Sequence, residues 1–154
     1  PPPPPPPPSF FYKNKPANHI RLSLVGSEMC IRDSPCGIYD PRDAIQAAQT
    51  VVRMTELLEE LDYSNGPSAS LGNSMARFVA AKEEHAKKAK DDILVIWTDY
   101  FKPEHLEKYP DLHEKVWNAC KLGSYVKVNV DLDKAKEFKA ALEEIGDIFW
   151  ETKK

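Results

Sequence analysis

Asp131-Leu-Asp-Lys-Ala-Lys-Glu-Phe-Lys-Ala-Ala-Leu-Glu-Glu-Ile-Gly-Asp-Ile-Phe-Trp150 decides the fold class. Ala135, Phe138, Leu142, Ile145 and Phe149 recur every three or four residues, the spacing of one helical face. Charged residues fill the positions between them, so this helix has one apolar stripe to bury against something else. A last helix starting near Asp131 is therefore expected.

Working toward the N-terminus, the same period returns. A third helix begins near Asp111 and carries Leu112, Val116, Ala119 and Cys120, while Val126 to Val130 is too short to assign. Lys102 to Pro110, with two prolines, reads as a connector. A second helix starts near Ser70 and places Met75, Phe78, Val79, Ala86 and Ala89 on one face, with Lys82, Glu83, Lys87 and Lys88 largely away from it. Its end, Ile93-Leu-Val-Ile-Trp97, has strand-like composition, but no second strand exists to pair with it, so the helix is continued to about Tyr100. A first helix opens at Asp40-Pro41, where Asp40 can cap and Pro41 suits the first helical position. It presents Ala44, Ala47, Ala48, Val51, Met54, Leu58 and Leu61 and ends at Asn65-Gly66-Pro67. Four amphipathic helices bury their stripes most simply as an all-α, up-and-down four-helix bundle over residues 35–154.

Residues 1–34 are excluded from that bundle. Residues 1–8 are all proline, a stiff polyproline II rod of the kind SH3-type domains bind. Ser23-Leu-Val-Gly-Ser-Glu-Met-Cys-Ile-Arg-Asp-Ser34 resembles a peptide that recurs when adapter sequence is translated in assembled short reads. As a signal peptide the region reads poorly, because Arg21 and Ser23 interrupt its apolar stretch. Asp33 and Ser34 are the residues of this leader that could belong to the protein proper.

The formal net charge of −3 gives no basic stripe, so a nucleic-acid partner is not expected. No apolar run approaches the ~20 residues that cross a bilayer, so no membrane partner is expected either. Three cysteines at irregular spacing, Cys30, Cys36 and Cys120, do not form a disulfide framework; with no credible export signal, they point to the cytoplasm.

Candidate chemistry can be tested by spacing. A bundle core can hold two metal ions through Glu-x-x-His pairs, but none of His19, His85, His105 and His113 has a Glu three residues before it. Zinc wants grouped Cys and His, and His105 and His113 stand apart from any Cys, so helix-end or surface roles suit them better. No Ser-His-Asp or Cys-His nucleophile is recognisable. What remains is Asp33-Ser-Pro-Cys-Gly-Ile-Tyr-Asp-Pro41, which packs a thiol, a proline, a glycine and a tyrosine ahead of the first helix. Alone, it reads more readily as a tight turn with an incidental thiol.

Three segments together resemble the nickel-containing superoxide dismutases. Pro35-Cys-Gly-Ile-Tyr-Asp-Pro41 resembles the second half of their nickel hook. Asp99-Tyr-Phe-Lys-Pro103 through Glu107-Lys-Tyr-Pro-Asp-Leu-His113 resembles their connector, and Ile148-Phe-Trp-Glu-Thr-Lys-Lys154 their C-terminus. The resemblance implies a four-helix subunit of a homohexamer. It implies disproportionation of superoxide to oxygen and hydrogen peroxide by a nickel ion cycling between two oxidation states.

In the family the hook reads His-Cys-Asp-x-Pro-Cys-Gly-x-Tyr from the mature N-terminus. Two thiolates, the free amine, a backbone amide nitrogen and the imidazole bind the metal. Thiolates and a deprotonated amide stabilise the higher oxidation state, and a square-planar N,S set suits Ni(II). Carried over by position, Cys36 matches the second thiolate, and Pro35 and Gly37 the turn that shapes the hook. Asp33 matches the hook's Asp, and Tyr39 the tyrosine that crowds the open side of the metal. Arg77 falls where an arginine supports the hook. The pattern breaks at Ile31 and Arg32, which stand where the His and first Cys belong. Cys30 lies six positions before Cys36, against four between the hook cysteines, and does not replace the missing ligand. The resemblance therefore implies a dismutase by family whose chain as written is inactive. The alternatives are a non-enzymatic bundle serving as an interaction or assembly module, and a bundle using Cys36 as a redox thiol beside a helix N-terminus.

Overall fold

A computed structural model describes residues 38–154. Four long helices carry it: α1 (Arg42–Glu59), α2 (Ala69–Val95), α4 (Leu112–Val128) and α5 (Leu132–Thr152). A π-helical turn, Ile96–Tyr100, extends α2, and a short helix α3 (Pro103–Lys108) leads into α4. Each long helix packs on its neighbour in sequence, α1 on α2, α2 on α4, α4 on α5, and α5 closes back on α1. This is the up-and-down bundle expected from the stripes.

The core is where the periodicity put it. Ala44, Ala47, Ala48, Val51 and Val52 of α1 join Ala135, Phe138, Leu142, Ile145 and Phe149 of α5 and the inward residues of α2 and α4 in one core. Small residues on α1 let the helix backbones approach, while Phe138 and Phe149 fill the opposing space. Burial of such side chains stabilises by roughly 1.5–3 kcal/mol each for the large ones. Gly123 on α4 belongs to this packing: a β-carbon there would stand 3.0 Å from the Phe138 ring.

Local chemistry fixes the ends. Asp131 accepts the Lys134 N–H at 2.9 Å and starts α5 as expected. Ser68 accepts the Leu71 N–H at 3.1 Å and starts α2. Asp40 accepts the Arg42 N–H at 2.9 Å, but the helix opens at Arg42 with Pro41 in the cap position, one residue later than expected.

Four expectations are corrected. The first helix ends at Glu59, not at Asn65. There Asp62 takes up the Ser64 N–H and hydroxyl and the Asn65 amide, a local network that competes with continued helix. Gly66 then turns the chain at φ 73°. Lys102 to Pro110 is not only a connector, because Pro103 opens a helical turn in which His105 Nδ1 accepts the Lys102 N–H at 3.1 Å. Val126–Val128 completes α4. Met75 is exposed, whereas Lys82, placed away from the core, is among its most buried residues.

Candidate functional site

The described chain begins at the end of the bundle where α1 starts and α2 and α5 finish. The π turn there is closed by the Phe101 N–H donating to the Ile96 carbonyl at 3.2 Å. The wider turn changes the angular phase of α2, as π turns at functional sites commonly do. It directs Trp97, Tyr100 and Phe101 into one aromatic group. Tyr100 packs 4.4 Å from the Phe149 ring, stacks on His105 at 5.6 Å and lies 5.8 Å from Tyr39.

Tyr39 is half-buried against this group. Its carbonyl accepts from Lys153 Nζ at 3.2 Å. Thr152 Oγ1 donates to the Phe149 carbonyl at 2.7 Å, so it can accept the Tyr100 hydroxyl, 2.8 Å away. Next to Tyr39, the Asp40 carboxylate is gripped by the Arg42 guanidinium through Nε at 2.8 Å. That hydrogen bond, the largest influence on it, holds the Asp40 carboxyl below the usual carboxylate range. Arg42 in turn lies over the Trp150 ring at 5.8 Å. The start of the described chain is thus tied to the last turn of α5 by two cations.

The residues expected to form the site are divided by this geometry. Asp33, Pro35, Cys36 and Gly37 lie outside the described residues. Tyr39 sits at the root of the segment that carries them. Arg77 is exposed near the start of α2. The 23 residues from it to Tyr100, at about 1.5 Å of rise each, put about 35 Å of helix between them. Within one chain, Arg77 and Tyr39 are not brought together. His105 and His113 have the bland roles expected of them, one capping α3 and one packing 5.4 Å from Trp97.

Individual reading of residues missed Tyr100, Thr152, Lys153 and Arg42. The first three stand inside the motifs quoted for the resemblance, which was the available signal; Arg42 had none.

The described residues offer no donor set that fits nickel. Among the described residues no group of three or more His, Cys, Asp or Glu could hold a metal ion. Of the assigned side-chain ligands only Cys36 is present, because isoleucine and arginine at 31 and 32 cannot supply imidazole and thiolate. Among the described residues no helix is long and apolar enough to cross a membrane.

Comparison with known proteins identifies the architecture. Residues 29–153 match the family described as nickel-containing superoxide dismutase. The chain is 37% identical over 122 residues to the nickel superoxide dismutase of Streptomyces coelicolor, covering 79% of this chain and 87% of that protein; the Streptomyces seoulensis enzyme matches to the same extent. Its fold superposes on a native nickel superoxide dismutase structure with a TM-score of 0.69 at 37% identity, covering 78% of this chain and 97% of the other. An apo structure of such an enzyme superposes with a TM-score of 0.64 at 34% identity, covering 75% and 97%. A helical bundle that ends in an aromatic group around the root of a Cys-bearing segment, matched over nearly its whole length, makes this chain a member of the nickel-containing superoxide dismutase family.

Proposed function

We propose that the natural product of this gene disproportionates superoxide with a nickel ion held ahead of α1, and that the polypeptide as written does not. In that reaction one superoxide is oxidised to oxygen while a second takes up the electron and two protons to become hydrogen peroxide. Cys36 is the surviving thiolate, Pro35 and Gly37 shape the turn around it, and Asp33 and Tyr39 line the approach of the small anion. The observation that carries this reading is the anchored root: Tyr39, three residues after Cys36, is held between the ends of α2 and α5. A bundle with no catalytic segment to present has no need of that double tie. In support, the family match spans residues 29–153, and Ile31 and Arg32 within it supply neither imidazole nor thiolate.

On this reading residues 1–34, Asp33 and Ser34 excepted, are a foreign leader that has replaced a His-Cys start, and 35–154 are the dismutase domain. Exposed Trp117 and Val128 supply apolar surface for a homo-oligomer, with the family's homohexamer as the expected assembly. Arg77 would then support a hook only across a subunit boundary. Sparse cysteines favour the cytoplasm.

The experiment compares the full chain with residues 33–154 preceded by His-Cys bearing a free amine. Bound nickel and superoxide removal are expected in the second and absent from the first. Equal activity in both, or none in either, overturns the proposal. Light scattering of the restored chain tests the hexamer.

A further inference from the structure

The last turn of α5 does more than finish a helix. Lys153 Nζ lies 4.5 Å from the centre of the Phe149 ring, 5.6 Å from Trp150 and 5.7 Å from Tyr100. Three ring faces around one ammonium hold it electrostatically, each in the distance range where a cation is attracted to a π-face. From that platform it reaches across the bundle to the Tyr39 carbonyl, 3.2 Å away. A flexible lysine on the surface would lose much of its rotamer freedom to make one such bond. The rings reduce that loss by restricting where the ammonium sits.

We propose that Lys153 is a positioning residue, whose ring-seated ammonium holds the Tyr39 carbonyl and so fixes the point on the bundle from which the Cys36-bearing segment departs. This rests on the functional reading above, because it gives the fixed departure point its use. Three observations carry it. The bond is to the backbone of Tyr39, so it constrains the chain path rather than one side chain. The platform is assembled from both α5 and the π turn, so it reports that the two helix ends are correctly docked. The neighbouring Asp40–Arg42 pair reaches the same turn of α5 through Trp150, giving the root a second tie. The Lys153 charge also helps lower the Asp40 pKa, consistent with its place beside the root.

The test reads the carbonyl directly. Tyr39–Asp40 is the sole Tyr-Asp step in the sequence. Full chain labelled with carbonyl carbon-13 in tyrosine and nitrogen-15 in aspartate therefore gives one correlated signal. Lys153→Met should shift that signal, and Lys153→Arg should leave it near its parent position, with thermal melting showing both folded. An unmoved signal in Lys153→Met overturns the inference, whatever the chain does with nickel. In the chain with the His-Cys start restored, Lys153→Met should weaken nickel binding by about tenfold and Lys153→Arg should recover it, the scale for a residue that orients a metal ligand from outside. Equal nickel affinity in restored parent and Lys153→Met would reduce the contact to a structural clasp and overturn the positioning role. A restored parent that takes up no nickel defeats the functional reading, and the carbonyl signal still decides whether Lys153 holds Tyr39.

Discussion

Lys82 Nζ stands 2.5 Å from the carbonyl oxygen of Val126, and it also donates to the carbonyls of Lys127 at 2.9 Å and Asn129 at 3.0 Å. An ammonium has three N–H donors, and all three are used on the end of α4. Those carbonyls are among the acceptors a helix C-terminus leaves unpaired, and a positive charge there opposes the negative end of the helix dipole. Lys82→Met keeps the aliphatic stem but leaves the carbonyls without this donor. It should cost roughly 1–3 kcal/mol, the usual penalty for unsatisfied buried polar groups. The pH dependence follows from burial, which pulls the Lys82 pKa below the ordinary 10.5. The folded chain thus binds this proton less tightly than the unfolded one. The penalty on the charged form is fully present below the folded value and is relieved as pH rises from there to the unfolded value. Urea melts of parent and Lys82→Met, taken upward from neutral pH, should show the parent's margin growing through that window.

The same lysine shows where sequence reasoning reached its limit. The stripes of α1 and α5 were legible because their buried positions are apolar and periodic, and Ala135, Phe138, Leu142 and Ile145 are all fully buried. Lys82 occupies an inward position of α2 but looks like surface in a list of residue types. Its partner is a helix end 44 residues away, which no local pattern encodes. Asp92, buried beside Lys88 four residues earlier, was hidden only because a carboxylate also looks like surface in a list of residue types. The π turn was half-legible: Ile93–Trp97 could be kept helical for want of a partner strand, but nothing in it announced a change of pitch. At the site, Tyr39 was legible only through the family motif, and Cys36 lies outside the described residues. The Lys153–Tyr39 contact joins residues 114 apart and needed the fold.

Two glycines inside helices should respond in opposite directions to alanine. In α2, Gly72 has nothing within 4 Å of a built β-carbon. Gly72→Ala should stabilise by about 0.5–1 kcal/mol through the reduced freedom of the unfolded chain. In α4, the same change at Gly123 drives a methyl to 3.0 Å from Phe138 Cε2 and 3.1 Å from Cζ. Phe138 is fully buried and cannot swing away. Overpacking of about 1–3 kcal/mol should exceed the helix-propensity gain, so Gly123→Ala should melt lower than the parent. If Gly123→Ala melts higher, the α4–α5 packing described here is wrong.

At the root of the site, Asp40→Ala should loosen the first turn of α1. It removes the acceptor for the Arg42 N–H and the anchor for the guanidinium that lies over Trp150. The exposed ion pair adds little, so about 1 kcal/mol is expected, chiefly from the lost hydrogen bond. Arg42 holds the Asp40 pKa below the ordinary 3.8. The stabilisation is therefore complete above the unfolded carboxyl's pKa and is lost as pH falls through the lowered folded value. Parent and Asp40→Ala should converge in stability in strong acid and separate again above about pH 4. A separation that persists unchanged in acid would assign the effect to packing rather than to the carboxylate.

Cys120 gives a measure of the bundle's integrity that is independent of any metal. Its thiol is half-buried on α4, and burial raises its pKa above the ordinary 9.0, with Lys90 only partly opposing the shift. Alkylation requires the thiolate, so both the raised pKa and restricted access slow it. In native buffer at pH 8, iodoacetamide should label Cys120 far more slowly than it labels the same residue in urea-unfolded chain, where the thiol returns to its ordinary acidity. Lys82→Met should accelerate the native-state labelling if α4 opens when its C-terminus loses the ammonium. The change in native labelling rate between parent and Lys82→Met then reports how much more readily α4 opens, provided closing is fast compared with labelling. Labelling of Cys120 at the unfolded rate in native parent would place this thiol at the surface and remove α4 from its assigned position.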